Sequence, residues 1–283
     1  MKKNTIQIVL ILFMTMVQGC ADSSLGGDSN SILPDTAVVD PANPTTKPPT
    51  PSEASSNKVL LFNGQGISTS DWQTTQSILK TMRLETQVVN SAQLEQMTVE
   101  DLKKFALIIV PGGHSSGISS GLTGAARVRV RQAVRDYGVS YLGICAGAWA
   151  AVGTEANTDT ATSFGFAAIY GSHLANWWPD GNTNAVAAVV PVQFADGKNR
   201  QLVWYGGPAT PEWAGGVVAR YSNGKAAISQ AYSGKGFVVL TGPHPEAPQG
   251  WRNTAGYDSD GLDYDIAQEL ITSALTRTPM AHY

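Results

Sequence analysis

The run Tyr141-Leu142-Gly143-Ile144-Cys145-Ala146-Gly147-Ala148 constrains this chain more than any other stretch of it. An apolar segment with a β-branched member meets a compact, alanine-rich segment at a single cysteine, with a glycine two residues to either side. Such a junction reads as a tight turn from a strand into a helix. Gly143 and Gly147 fit because a turn packed against its own strand and helix leaves no room for side chains there. A free cysteine is more often buried and inert than reactive, and Cys145 alone would call for nothing more. The flanking glycines have little packing rationale without the turn, so Cys145 is expected to sit exposed at the tip of a sheet as a nucleophile.

A second signal lies downstream, where Phe237-Val238-Val239-Leu240 runs into Gly242-Pro243-His244-Pro245-Glu246. His244 by itself would pass for a satisfied histidine in a Pro-rich loop. A strand that delivers His and Glu two residues apart also supplies a base and its orienting carboxylate, so Cys145, His244 and Glu246 form a nucleophile, base and orienter set. Negative charge growing on an attacked carbonyl oxygen needs preorganised donors. The N–H of Ala146, directly after the cysteine, and that of Gly113 or Gly112 in the strand-end loop Pro111-Gly112-Gly113-His114 are the natural pair, with a simple turn as the competing account of those glycines. His114, His173 and His282 show no ligand spacing, so no metal is expected, and no cofactor is required.

The chain opens with Lys2-Lys3, an apolar run from Ile6 to Val17, and Val17-Gln18-Gly19-Cys20. Residues 1–19 read as a secretory signal, with an apolar stretch too short to span a bilayer and a small residue before the cut. Cys20 placed directly after Gly19 resembles the bacterial lipobox, which implies a lipidated Cys20 and a membrane anchor through it. Ala21 follows where, in the enterobacterial sorting pattern, an Asp would favour the inner membrane; the resemblance therefore implies the cell envelope and favours the periplasmic face of the outer membrane. Residues 20–57 are rich in Ser, Asp, Pro, Thr and Asn, too poor in large apolar groups to offset the cost of ordering, and read as a tether. Residues 58–283 suit one domain with a sizeable core. The formal charge of −3 becomes −5 once Lys2 and Lys3 are removed with the signal, which leaves nothing basic to attract nucleic acid. The chain has two cysteines; with Cys20 acylated, Cys145 would be a lone thiol in an oxidising compartment, which argues for use rather than structure.

Within the domain, Lys58 to Phe62, Glu85 to Val89 and Ala106 to Val110 read as strands, the last covered on both faces. Ser70-Asp71-Trp72-Gln73 looks like a capping box opening a helix to about Met82, and Thr98-Val99-Glu100-Asp101 caps a short helix ending near Phe105. A helix from about Thr123 to Tyr137 stops at Gly138. This alternation implies a parallel sheet with helices on both sides and ligands at the carboxyl ends of its strands. Farther on, Val186 to Phe194, Gln201 to Tyr205, Val217 to Tyr221 and Ala226 to Tyr232 read as strands, the last two joined by the hairpin Ser222-Asn223-Gly224-Lys225. Leu262 to Leu275 is a final amphipathic helix. The aromatic stretch Ala175-Asn176-Trp177-Trp178-Pro179-Asp180 could wall a pocket or pack on the core.

The elbow and the His-Pro-Glu resemble the class I glutamine amidotransferase-like superfamily. Phe62-Asn63-Gly64 with its Ser-rich loop, Val110-Pro111-Gly112-Gly113, Tyr205-Gly206-Gly207-Pro208 and Gly242 to Glu246 make the chain most similar to the N-terminal domain of yeast-type biotin-protein ligases. The resemblance implies an α/β fold, a flavodoxin-like three-layer sandwich with a mostly parallel sheet and additional antiparallel strands. No ligase or synthetase domain accompanies it, which leaves hydrolysis of a small-molecule or peptide amide as the activity implied. Ala146 stands where DJ-1-type relatives often carry His, and Cys145 where cyanophycinase-like relatives carry Ser, so neither branch fits. Two functions remain open: a cell-envelope cysteine amidohydrolase, and a non-catalytic envelope module that keeps the pocket and binds.

Overall fold

The computed structural model describes residues 57–153, 165–170 and 174–283. Cys20, His173 and the boundaries drawn before residue 57 lie outside them. Five strands form the parallel half of one sheet: β1 (Lys58–Phe62), β2 (Glu85–Val89), β3 (Leu107–Val110), β4 (Ser140–Ile144) and β9 (Gly236–Thr241). They lie in the order β2-β1-β3-β4-β9, and the sheet continues antiparallel through β8 (Ala226–Ser233), β7 (Val217–Tyr221), β5 (Ala188–Phe194) and β6 (Asn199–Trp204). The flavodoxin-like order and the added antiparallel strands are as the sequence implies. The β3 and β4 residues are all buried, as strands covered on both faces must be.

Helices cover the two faces. On one, α1 (Thr69–Thr81) and α8 (Tyr264–Thr276) join Leu61, Ile109, Leu142 and Val239 in a core that extends to Trp204 and Tyr221. On the other, α2 (Ser91–Gln96), α3 (Val99–Leu102), α4 (Ser115–Ser120), α5 (Gly124–Arg135) and α6 (Ala146–Ala151) enclose Leu60, Ile108, Tyr141 and Val238. A further helix, α7 (Gln249–Ala255), follows the end of β9. No helix among the described residues is long and apolar enough to cross a membrane.

One local reading changes, one holds and one open alternative closes. The helix after β1 has Ser68 at its N-cap position, with no capping bond from its side chain, so Ser70 and Asp71 lie inside the first turn and no capping box forms around Ser70. The box read at Thr98 is present, with Asp101 reaching back to the Thr98 N–H, and a second one at Asn90 and Gln93 opens α2. Trp177 packs on the core, its ring stacked 3.7 Å from that of Tyr221, which settles the aromatic stretch as packing at that position.

The elbow depends on backbone contacts that a methyl group would abolish. A Cβ on Gly147 would drive into the Val110 carbonyl at the end of β3, so this glycine serves the neighbouring strand rather than its own. A Cβ on Gly143 would lie 2.6 Å from the Gly147 carbonyl oxygen, and Tyr141 Oη donates to that oxygen at 2.8 Å. Gly147→Ala is therefore expected to destabilise the domain by roughly 1 to 3 kcal/mol, seen as a lower Tm, because only backbone could give way. Gly250→Ala is the control: no atom lies within 4 Å of its Cβ position, and an alanine inside α7 should cost no stability.

Candidate active site

Cys145, expected exposed, is buried at the floor of the site, and sits at φ 49°, ψ −104°, a conformation that L side chains rarely adopt, between the last residue of β4 and the first of α6. That backbone is what an elbow demands: it turns the thiol off the strand axis at the sheet's carboxyl edge. Its N–H donates to the Thr241 carbonyl at 2.9 Å, so the elbow is clamped to the end of β9. The register Ile144↔Thr241 then carries the chain from Thr241 straight to His244 beside the thiol. His244 is anchored from the far side as well, its N–H donating 2.7 Å to Val203 of β6. The two supporting loops meet backbone to backbone, for a Cβ on Gly207 would strike the Gly242 carbonyl and one on Gly242 would strike that of Pro208.

The His244 ring and the Glu246 carboxylate are joined by Nδ1 and Oε1 at 2.8 Å, and both residues are almost fully buried. Nε2 of His244 has no hydrogen-bond partner among the described residues, and the Cys145 thiol points to the Tyr205 carbonyl, 3.7 Å away. Pairs of this kind are commonly loose before a ligand is bound. Burial alone would pull the His244 pKa down, but the charges of Glu246 and Cys145, with Asp71 close by, outweigh it and hold the imidazole well above its ordinary range. Burial pushes Glu246 up despite the opposing imidazolium.

Cys145, Ala146, Gly113 and His244 line one cavity of about 610 Å³ at the carboxyl edge. The amide of Ala146 is the first of a helix and has no partner within it. Gly113 has φ 146° and lies against Gly66, whose carbonyl a Cβ would strike. Gly112 is elsewhere: its missing side chain makes room for Asp71 and His244, and it does not line the cavity. His114 is exposed, at the N-cap position of α4 on the rim of the cavity, and His282 is exposed near the C-terminus.

Sequence reasoning missed two contributors. The helix α7 supplies the outer wall, with Trp251 edge-on to the His244 ring at 5.2 Å between centroids and 5.8 Å from Tyr205. Asp71, read as part of a cap, is 1% exposed and places Oδ1 3.3 Å from His244 Nδ1. The one available signal for it was an acidic residue in the first turn after β1, which any helix start can carry. Asp71, His244 and Glu246 each have a donor atom within 4.8 Å of the others, so this trio could hold a cation. The 2.8 Å separation of Nδ1 and Oε1 is equally that of a protonated ring nitrogen donating to a carboxylate.

The parallel strand order with a cysteine elbow at its carboxyl edge defines a class I glutamine amidotransferase-like fold. A crystal structure of a glutamine amidotransferase shares it, with a TM-score of 0.50 at 18% identity over 76% of this chain and 98% of that one. Residues 57–159 match the family described as "Biotin-protein ligase, N terminal". Both likenesses drawn from the sequence are thus found, although the family match ends before Tyr205-Gly206-Gly207-Pro208 and Gly242 to Glu246. Another similar structure is that of a cytoplasmic protein from Salmonella typhimurium LT2, with a TM-score of 0.48 at 12% identity over 79% of this chain and all of that one. A comparison with curated proteins finds no match.

The raised His244 pKa has a thermodynamic consequence. A histidine that binds its proton more tightly when folded stabilises the fold fully below its unfolded pKa of about 6.5, and that contribution is lost as pH rises through the folded value. The unfolding free energy lost in His244→Gln should therefore be larger at pH 6 than at pH 9, measured by urea denaturation.

Proposed function

We propose that this protein is a cell-envelope lipoprotein whose domain hydrolyses an amide through Cys145, His244 and Glu246. The observation that carries the reading is the meeting, in one cavity, of a cysteine held at φ 49° on an elbow and a buried imidazole bonded to a carboxylate. His244 takes the thiol proton through Nε2 while Glu246 holds the Nδ1 proton and stabilises the imidazolium. The start of α6 favours the thiolate. Sulfur attacks the amide carbonyl, and the oxyanion is received by the N–H groups of Ala146 and Gly113. The imidazolium then protonates the departing amine, and water activated by His244 releases the acyl group and restores the thiol. The geometry favours Gly113 over Gly112 in this role, since only Gly113 lines the cavity.

Cys145→Ala should abolish turnover of any amide the protein hydrolyses, found in a screen of glutamine, γ-glutamyl and peptidoglycan-derived amides, and should retain binding. Glu246→Gln should keep the fold and most affinity but lower kcat, because the imidazole loses its anchor. His244→Ala should slow alkylation of Cys145 by iodoacetamide about tenfold or more at pH 7. An unchanged rate would leave Cys145 an ordinary thiol and favour the binding module.

The anchor rests on Lys2-Lys3, the short apolar run and Gly19-Cys20. Cys20→Ser is expected to move the protein from the detergent phase to the aqueous phase on partitioning, and mass spectrometry should find a diacylated or triacylated Cys20 as the mature N-terminus.

A further inference from the structure

Asp71 is the one buried carboxylate at the site that the hydrolytic steps leave without a task. It comes from the first turn of α1, an element separate from both the elbow and the His244 loop. Oδ1 stands 3.3 Å from His244 Nδ1, the nitrogen already 2.8 Å from Glu246 Oε1. Apart from that ring nitrogen, neither Asp71 oxygen has a hydrogen-bond donor among the described residues, and Glu246 Oε2 has none. The backbone is shaped around this contact. A Cβ on Gly112 would collide with Asp71 Oδ1 and lie 2.6 Å from His244 Cε1, yet Gly112 has no positive φ that would itself require glycine. A carboxylate buried with so few donors costs stability, and an amide or a small apolar residue at position 71 would cost less. A feature that opposes folding and faces the base calls for an account in function.

We propose that Asp71 is a positioning residue for His244, a second carboxylate that with Glu246 grips the Nδ1 edge of the ring and directs Nε2 toward Cys145. The inference rests on the reading of Cys145 and His244 as a nucleophile and base pair. One Nδ1 proton faces two acceptors, so the ring stays protonated at Nδ1 whichever carboxylate it favours, and the tautomer with a free Nε2 is fixed from two sides. The charged groups facing His244 are Cys145 from the elbow, Asp71 from α1 and Glu246 from its own loop. Behind them, Tyr221 feels the charge of Cys145 and Tyr264 that of Glu246 and Arg252, while Trp251, which carries no charge, covers the ring and His114 lines the same cavity.

The test is the pH profile of Cys145 alkylation by iodoacetamide in the full chain, followed on the Cys145 peptide by mass spectrometry from pH 5 to 10. It is run on the wild type, Asp71→Asn, Glu246→Gln, the double variant and His244→Ala. The inflection that His244→Ala abolishes marks the imidazolium. Asp71→Asn should move that inflection about one pH unit lower, Glu246→Gln should move it too, and the double variant should move it farther than either. Tm of Asp71→Asn should be unchanged or raised. Asp71→Ser, which removes the carboxylate and leaves a smaller polar side chain, should lower the inflection in the same direction and stands in if Asp71→Asn fails to fold. A profile for Asp71→Asn that superimposes on the wild type overturns the proposal, whatever the Tm. So does one equivalent of zinc or manganese bound by the wild type and lost in Asp71→Asn, because the carboxylates would then be a cation's donors. A profile unaffected by His244→Ala would instead defeat the nucleophile and base reading itself.

Discussion

The alignment of β4 with β9 is the constraint on which the site depends. Two parallel strands, distant in sequence, are locked in register from Tyr141↔Val238 to Ile144↔Thr241, and the next donor along, the Cys145 N–H, still finds its acceptor on Thr241. The ladder therefore runs through the point where the chain turns into α6. A slip of one residue would turn every side chain of a strand to the opposite face, among different packing partners, and would take the Cys145 N–H off its acceptor. The strained Cys145 backbone is held by that ladder on one side and by the close approach of Gly147 to Val110 on the other.

Electrostatics around the imidazole come second in the hierarchy, because they presuppose the scaffold. Two carboxylates and one imidazole are removed from water with few other donors, an arrangement that folding alone would not select. Its net effect is to favour the charged ring: burial acts against the imidazolium, and the surrounding negative charge prevails. Pro243 and Pro245 flank His244, and the Thr241 hydroxyl donates 2.7 Å to the Pro243 carbonyl, so the loop that carries the base is stiff in its own right.

What the sequence disclosed was whatever rests on local chemistry. The elbow was legible because glycines on both sides of a cysteine answer a steric demand within a few residues. His244 and Glu246 were legible because strand and loop place them two residues apart. The parallel strands were legible as continuous apolar runs. Asp71 was not, since its meaning depends on where α1 sets its first turn relative to β9, and a Ser-Asp pair before a helix reads as a cap when the actual N-cap position, Ser68, lies two residues earlier. The short α4 and α7 were missed for a related reason. Ser115–Ser120 and Gln249–Ala255 are glycine-containing segments of six and seven residues, too brief to show a helical period.

The position of Arg252 has a mechanical consequence. Its guanidinium donates to the Ala247 carbonyl at 2.7 Å, one residue beyond Glu246, and to Asp258 and Asp263 beyond the other end of α7. Asp263 is also held by Arg200 on β6. One side chain thus braces the start of the cavity wall to its finish, and the brace begins at the turn that holds the orienting carboxylate. The wall and the turn beside the orienting carboxylate consequently share one support. Trp251, edge-on to the imidazole, thus stands on a wall that is tied down at both ends.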